Sequence, residues 1–266
     1  MSSQTSRDDV ALLAEPPGLR LDGKVAWVTG ASRGLGRSLA YALAGAGAEL
    51  LLTARSEEPL LAAAEEIRAQ GGGVEVVTGS VADPGHVEAA AARLQETWGR
   101  LDVLVNNAAI SPVFKRADAV TEQELREIVE VNLFGAFACC QAAGALMADG
   151  GSIVNVSSVH GTVAHERMVG YAASKGAIEM VTRTLALDWA DRGIRVNSVA
   201  PGYLETEMTA GLRAHDRWGE SLRSRIPLGR FGATAEVAAA VAFLASDAAS
   251  YVTGTTLFVD GGWTAQ

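Results

Sequence analysis

Val25-Ala26-Trp27-Val28-Thr29-Gly30-Ala31-Ser32-Arg33-Gly34-Leu35-Gly36 is the stretch that decides the fold. A short apolar run, rich in residues that favour strands, leads without a break into three glycines. An apolar-periodic segment then follows over 35–46. Glycines allow a tight turn and let backbone amides approach a pyrophosphate, and a helix N-terminus adds the positive end of its dipole. A glycine-rich run alone is weak evidence. Here the strand before it and the helix after it are the context that a dinucleotide-binding turn requires.

The same alternation continues outward from this stretch. Residues 25–29, 49–53, 74–78, 103–105, 153–156, 195–199 and 256–259 read as seven short buried strands. Helical stretches lie near 35–46, 57–70, 84–98, 121–148, 170–191 and 234–246. Strands alternating with helices predict an α/β fold with a parallel sheet covered on both faces. No linker or repeat divides the chain, so 21–266 is expected to be one domain. Residues 1–20 are polar and then proline-rich, and they read as a flexible arm. Residues 203–230 follow Pro201-Gly202 without strand character. A long excursion at that place is expected to act as a substrate lid.

The end of the second strand bears on the choice of dinucleotide. An acid there accepts from a ribose 2′-hydroxyl and repels a 2′-phosphate. This chain has Leu52-Thr53-Ala54-Arg55, with no acid. Arg33 and Arg55 can converge on a phosphate with forked, charge-assisted hydrogen bonds, which favours NADP(H) over NAD. Asn106-Asn107-Ala108-Ala109 follows the fourth strand, where carboxamides can bond both loop backbone and ligand.

Tyr171 and Lys175 stand four residues apart, so they share one face of a predicted helix. A nearby ammonium is expected to lower the phenol's pKa and fit it for proton transfer.

Taken together these residues resemble the short-chain dehydrogenase/reductase family over almost the whole of 21–266. The resemblance is carried by Thr-Gly-x-x-x-Gly-x-Gly at 29–36, Asn-Asn-Ala at 106–108, Asn132, Ser158, Tyr171-x-x-x-Lys175 and Pro201-Gly202, all in the family's order. It implies a Rossmann-type, doubly wound, seven-stranded parallel sheet and a homotetramer. It implies that Tyr171 is the proton donor or acceptor, that Lys175 tunes it and holds the nicotinamide ribose, and that Ser158 polarises the substrate oxygen. Asn132 is expected to hold a water that relays protons to Lys175. Gly30, Ser32, Arg33, Leu35 and Gly36 are expected to wrap the cofactor, with Arg55 at the 2′-phosphate and Val81 at the adenine. Asn107 is expected at a ribose, and Leu204 and Thr206 at the nicotinamide. Of the two adjacent serines, Ser158 is preferred, because neighbouring side chains on an extended strand face opposite ways. Ala109 and Ser80 depart from the family's usual glycine and acid, which bears on cofactor affinity.

Composition narrows the partners. The net charge is −9 with no basic run, which argues against nucleic acid and anionic membranes. No uninterrupted apolar run reaches the length of a membrane span. Cys139 and Cys140, adjacent on a predicted helix, make neither a disulfide framework nor a metal site, so a reduced cytoplasmic protein is expected.

The expected activity is an oxidoreductase that exchanges a hydride between NADP(H) and a ketone or secondary alcohol. Within the family the chain is similar to 3-oxoacyl-acyl-carrier-protein reductases and to the gluconate 5-dehydrogenase type. A non-catalytic dinucleotide sensor is the remaining alternative, but such a protein typically loses the tyrosine or the lysine. The substrate wall is expected from 111–114, 160–168 and 203–226. Phe114, His160, His165, Met168, Tyr203 and Trp218 are its candidates, with no catalytic role assigned to either histidine. An acidic carrier protein needs a basic landing surface. Arg192 and Arg195 offer one, but Asp149 and the negative net charge oppose it.

Overall fold

The computed structural model describes residues 18–148, 150–213 and 216–266, and for 208, 212, 213 and 216–218 the backbone alone. Nearly all of the expected arm, Asp149 and the Trp218 side chain lie outside the described residues. Seven strands form one parallel sheet in the order β3-β2-β1-β4-β5-β6-β7. They are β1 (Val25–Thr29), β2 (Glu49–Ala54), β3 (Val74–Thr78), β4 (Val103–Asn106), β5 (Gly151–Val156), β6 (Ile194–Pro201) and β7 (Thr256–Val259). All seven were expected, and differences are confined to strand ends. The helices are α1 (Gly34–Gly45), α2 (Glu57–Arg68), α3 (Pro84–Thr97), α4 (Glu122–Val129), α5 (Ala136–Leu146), α6 (Val169–Asp188), α7 (Glu207–Arg213), α8 (Asp216–Ser224) and α9 (Thr234–Ala245).

The strands are apolar on both faces because each face has its own core. On β1, Ala26 and Val28 join the cluster built by Leu39 and Leu43 of α1 and by Val237 and Val241 of α9. Val25 and Trp27 point the other way, into a cluster with Leu94 of α3 and Cys139 and Ala143 of α5. Leu50 and Leu52 against Leu51 on β2, and Val103 and Val105 against Leu104 on β4, repeat the split. Each fully buried side chain of this size contributes roughly 1.5–3 kcal/mol relative to exposure. That is why the pattern, and not one contact, fixes the register. Trp27 adds a hydrogen bond from its indole Nε1 to Thr53 Oγ1 at 3.0 Å, which locks β1 to β2.

The stretch expected as one helix over 121–148 is continuous but not uniform. Thr121 and Glu124 form a reciprocal capping box at its start. A π-helical segment, Glu130–Gly135, then separates α4 from α5. Such a bulge shifts the side chains that follow and often marks a functional position. Glu122–Leu146 is also long and apolar enough to cross a membrane by length and composition, with a mean hydropathy of 1.4 in its most apolar window. Glu130, Asn132 and Gln141 break it, so it holds no uninterrupted apolar run of that length. Its buried residues, Cys139, Cys140 and Ala143 among them, belong to the core beneath the sheet.

The chain runs outward from β1 to β2 and β3, then returns to place β4 on the other side of β1. The carboxyl ends of β1 and β4 therefore send their loops apart, and the crevice between them is where such sheets bind ligands. Residues 203–230 hold α7 and α8 beside this edge. Leu204 bridges to Gly232, and the Glu205 amide donates to the Gly232 carbonyl at 2.9 Å, which anchors the base of the excursion.

Candidate active site

A cleft of about 760 Å³ opens along the carboxyl edge of the sheet. Every residue expected for catalysis or cofactor binding lines it except Asn132.

One end is shaped by the glycine turn. Gly30 and Gly34 have φ of +67° and +53°, a backbone region that L side chains rarely adopt. A Cβ on Gly36 would lie 2.1 Å from the Gly30 carbonyl oxygen, so only glycine lets α1 start this close to β1. A Cβ on Gly34 would meet nothing within 4 Å. Arg33 leads α1 in extended conformation, no side chain caps the helix, and its first turn holds no acid. The opening amides of α1 are thus left for an anion, whereas α3 has Asp83 accepting from the Gly85 amide at 3.0 Å. These features fit the pyrophosphate of a dinucleotide. Arg33 and Arg55 both line this end, and Val81 is buried against Gly135 of the π segment, where a Cβ would lie 2.8 Å from Val81 Cγ2.

Two contacts here escaped the sequence reading. Thr29 Oγ1 accepts from the backbone amides of Asn107 and Ala108, each at 3.0 Å, and so ties the end of β1 to the loop after β4. Its place just before the first glycine was the available signal. Arg33 also faces Glu207 of α7 at 3.6 Å across the cleft mouth. Both side chains are largely exposed, and such pairs contribute about 0–1 kcal/mol.

Asn107 lines the cleft, but its amide nitrogen is committed to the Thr29 and Gly30 carbonyls at 3.0 and 3.1 Å. It shapes the loop directly. Asn106 is buried inside, donating to Asn155 Oδ1 at 3.0 Å and to the Ala136 carbonyl at 3.1 Å.

The other end of the cleft gathers the reactive groups. β5 delivers Ser158 and α6 delivers Tyr171 and Lys175. Ser158 and Tyr171 both line this end, with the Ser158 side chain close enough to the phenol to favour its ionised form. The Ser157 hydroxyl turns to α6, donating to Glu179 Oε1 at 2.8 Å. Lys175 is buried and its Nζ donates to the Val156 carbonyl at 2.6 Å.

The electrostatics correct one expectation. Burial pushes the Tyr171 hydroxyl above its usual value, Ser158 partly offsets this, and Lys175 is not among the causes. Burial lowers Lys175 itself to about 8. Helical spacing brings the two side chains together, with Nζ 5.7 Å from the Tyr171 ring centre. For both groups the cost of burial is the leading cause of the shift.

Asn132 lies on the π segment and meets α6 at Ser174, the residue before Lys175. Its Oδ1 accepts from the Ile110 amide at 2.8 Å, and its Nδ2 donates to the Ile110 carbonyl at 3.0 Å and to Ser174 Oγ at 3.1 Å. It fastens the loop after β4 to α6.

Phe114, His160, His165, Met168 and Tyr203 line the substrate end with Leu204 and Thr206. His160 Nδ1 faces the Val163 carbonyl at 3.2 Å and therefore carries the hydrogen, leaving Nε2 to accept from the Tyr203 hydroxyl at 3.2 Å. Burial lowers the His160 pKa, which favours a neutral ring, and pushes Tyr203 up to about 12. Tyr203 also packs edge-on against Trp263, with ring centres 4.9 Å apart.

The lysine carries a stability consequence. Its folded pKa lies below its ordinary value of 10.5, so between about 8 and 10.5 the unfolded chain binds more protons and this group's contribution to stability rises with pH. Below about 8 both states are charged and the burial cost is felt in full. Lys175→Met is expected to melt at least as high as the wild type at pH 7, with the advantage shrinking by pH 9.5. Thermal melts at both pH values check this. A variant melting lower at pH 7 would mean that the Val156 hydrogen bond outweighs desolvation.

Comparison with known proteins places this geometry. The family described as enoyl-(acyl carrier protein) reductase matches residues 30–264. D-threitol dehydrogenase of Mycolicibacterium smegmatis is 40% identical over 251 residues, covering 92% of this chain and 94% of that one. The 3-oxoacyl-[acyl-carrier-protein] reductase of Escherichia coli is 40% identical over 248 residues, covering 92% and 98%. A gluconate 5-dehydrogenase from Burkholderia cenocepacia, solved in complex with NADP and tartrate, superposes with a TM-score of 0.89 at 39% identity, covering 93% and 98%. With this sheet and this arrangement of serine, tyrosine and lysine, the chain belongs to the short-chain dehydrogenase/reductase family of oxidoreductases, acting between alcohols and carbonyls.

Proposed function

We propose that this protein transfers a hydride between NADP(H) and a small, neutral ketone or its secondary alcohol, with Tyr171 exchanging the proton. The observation that carries this reading is the pairing of the Ser158 and Tyr171 hydroxyls at the inner end of a cleft whose other end is an uncapped helix behind a glycine turn. A carbonyl that accepts a hydride gathers negative charge on oxygen, and two hydroxyl donors suit that charge. The bound dinucleotide supplies the hydride. Tyr171 gives its proton to the carbonyl oxygen, and Ser158 donates a hydrogen bond to the same oxygen. With burial raising its pKa, Tyr171 is protonated at neutral pH, the form that reduction needs. Lys175 is held by the Val156 carbonyl, with its other hydrogens available to ribose hydroxyls. Asn132 supports the pair by fixing the neighbouring loop, and 203–230 serves as the lid.

NADP(H) is favoured by Arg33 and Arg55 together with the absence of an acid at the end of β2. The gluconate 5-dehydrogenase neighbour, solved with NADP, agrees. A neutral substrate is favoured because the cations among the described lining residues are Arg33, Arg55 and Lys175, the first two at the glycine-turn end. A carrier-protein substrate is disfavoured because the expected landing arginines are committed to the fold. Arg195 donates to the Leu244 and Ser246 carbonyls at 2.8 and 3.1 Å, and Arg192 to the Gly144 carbonyl. Both cysteines are free and buried, in keeping with a reducing cytoplasm.

A homotetramer is supported by apolar side chains exposed on the helices below the cleft, with Phe134 56%, Met180 55% and Leu187 80% exposed. Sedimentation giving a monomer at micromolar concentration would remove that reading.

The activity is tested by following absorbance of the reduced nicotinamide with D-threitol, galactitol and D-gluconate for oxidation, and a 3-oxoacyl thioester and simple ketones for reduction. Tyr171→Phe is expected to lower kcat by about 10²–10⁴-fold with cofactor binding nearly intact. Undiminished turnover in that variant would refute the proton-transfer assignment. Arg33→Ala and Arg55→Ala are each expected to weaken NADPH by roughly 10- to 100-fold, the scale of a charged hydrogen bond, while leaving NADH unchanged. Equal losses for both cofactors would refute the 2′-phosphate assignment.

A further inference from the structure

Glu179 is a buried acid on α6 with no place in the chemistry above, only 4% exposed. It stands four residues beyond Lys175 and eight beyond Tyr171, so the three form one stripe along the helix. Each member of the stripe meets one residue at the carboxyl end of β5. Lys175 Nζ takes the Val156 carbonyl at 2.6 Å. Glu179 Oε1 takes the Ser157 hydroxyl at 2.8 Å. Tyr171 lines the cleft with Ser158, whose side chain is near enough to lower the phenol's pKa. The second Glu179 oxygen, Oε2, accepts from Thr162 Oγ1 at 3.2 Å and lies 3.8 Å from the half-exposed Arg183 guanidinium. The carboxylate therefore grips both ends of the 157–162 turn.

The turn is seated with little slack. A Cβ on Gly161 would lie 2.6 Å from Glu179 Oε1 and 2.9 Å from Ser157 Oγ. Ser157 has one further acceptor, the Lys175 carbonyl at 3.3 Å, which also belongs to α6. A buried carboxylate is costly to keep unless its oxygens are paired. Here the partners are the residues that flank Ser158.

We propose that Glu179 is a positioning residue, whose carboxylate clamps the 157–162 turn onto α6 and so sets the distance between the Ser158 and Tyr171 hydroxyls. The proposal rests on the functional reading above for its kinetic consequence, though its geometric consequence does not. Glu179→Ala takes the carboxylate from both hydroxyls, leaving Ser157 only the longer bond to the Lys175 carbonyl, and frees the turn to shift. Glu179→Gln keeps an acceptor for Ser157 and turns its amide toward Thr162 Oγ1, which can accept.

The test is a double-mutant cycle with Ser158, read together with crystal structures. Reduction is followed with NADPH and the substrate turned over best by the wild type among those named above. Glu179→Ala is expected to lower kcat about tenfold or more, as displacements of this kind do, with the KM for NADPH little changed. Glu179→Gln is expected to restore most of the rate. Ser158→Ala should cost less in the Glu179→Ala background than in the wild type, because the two act through one geometry. A merely structural role would give additive costs. In the crystal, Glu179→Ala should show Ser158 Oγ withdrawn from the Tyr171 hydroxyl, a readout that needs no turnover. If Glu179→Ala does not fold, the Ser157→Ala/Thr162→Val double variant carries the same measurements. An unmoved turn, additive costs, or a Gln variant as impaired as Ala would overturn the proposal. A wild type inactive on every substrate would overturn the functional reading and leave this one to the crystal structures.

Discussion

The two amide hydrogen bonds accepted by Thr29 Oγ1 join the strands at which the sheet changes direction. β1 and β4 are neighbours in the sheet but far apart in sequence, and their loops must part to make a cleft. A cleft opened by diverging loops tends to fray. The threonine prevents this by making the end of one strand the hydrogen-bond partner of the other's loop, and Asn107 returns the bond to the Thr29 and Gly30 carbonyls. The glycine turn is thereby held from both sides. The close approach of Gly36 to Gly30 and the uncapped start of α1 both depend on that geometry.

The opposite end of the cleft is held by a different device. α6 lies along the end of β5, and its side chains meet Val156, Ser157 and Ser158 in turn. Burial raises Tyr171, lowers Lys175 and favours a neutral His160. Neutral forms are what desolvation favours, and a neutral phenol is a proton donor. Reduction consumes the phenol's proton, whereas oxidation needs that proton removed.

Much of this was legible in the sequence because it is periodic or local. Alternation fixes the strands, since Val25 and Trp27 must face one layer and Ala26 and Val28 the other. Helical spacing puts Tyr171 and Lys175 on one face, and strand alternation separates Ser158 from Ser157. What was not legible depends on burial and on contacts distant along the chain. Spacing cannot say whether attraction or desolvation wins at Tyr171. Nor does it show that Arg192 and Arg195 turn inward to helix-end carbonyls instead of outward to a partner. Glu179 belongs to no sequence motif, and its contacts with Ser157 and Thr162 bring together residues 17 to 22 positions apart along the chain. The π segment at Glu130–Gly135 had a signal in Asn132 and Gly135, but one helix turn with an extra residue leaves the apolar pattern nearly unchanged.

The segment over the cleft shows how differently its two attachments weigh. Arg33 and Glu207 meet across the mouth, but both are exposed and screened, and a pair of that kind cannot hold a lid closed. The attachment with substance is at the base. There Tyr203 packs against Trp263 and Phe231 and donates to His160, while Leu204 bridges to Gly232. A Cβ on Gly202 would lie 2.8 Å from the Asp260 Cα, so the backbone is pressed onto the chain's C-terminal segment as it leaves β6. The cluster at Tyr203 takes in Leu222 and Ile226, buried with Val159, Phe231 and Trp263, so it pins the far part of the excursion as well as its base. Glu207, just beyond the base, meets the arginine that a cofactor phosphate would engage, so a phosphate at Arg33 would compete directly with Glu207.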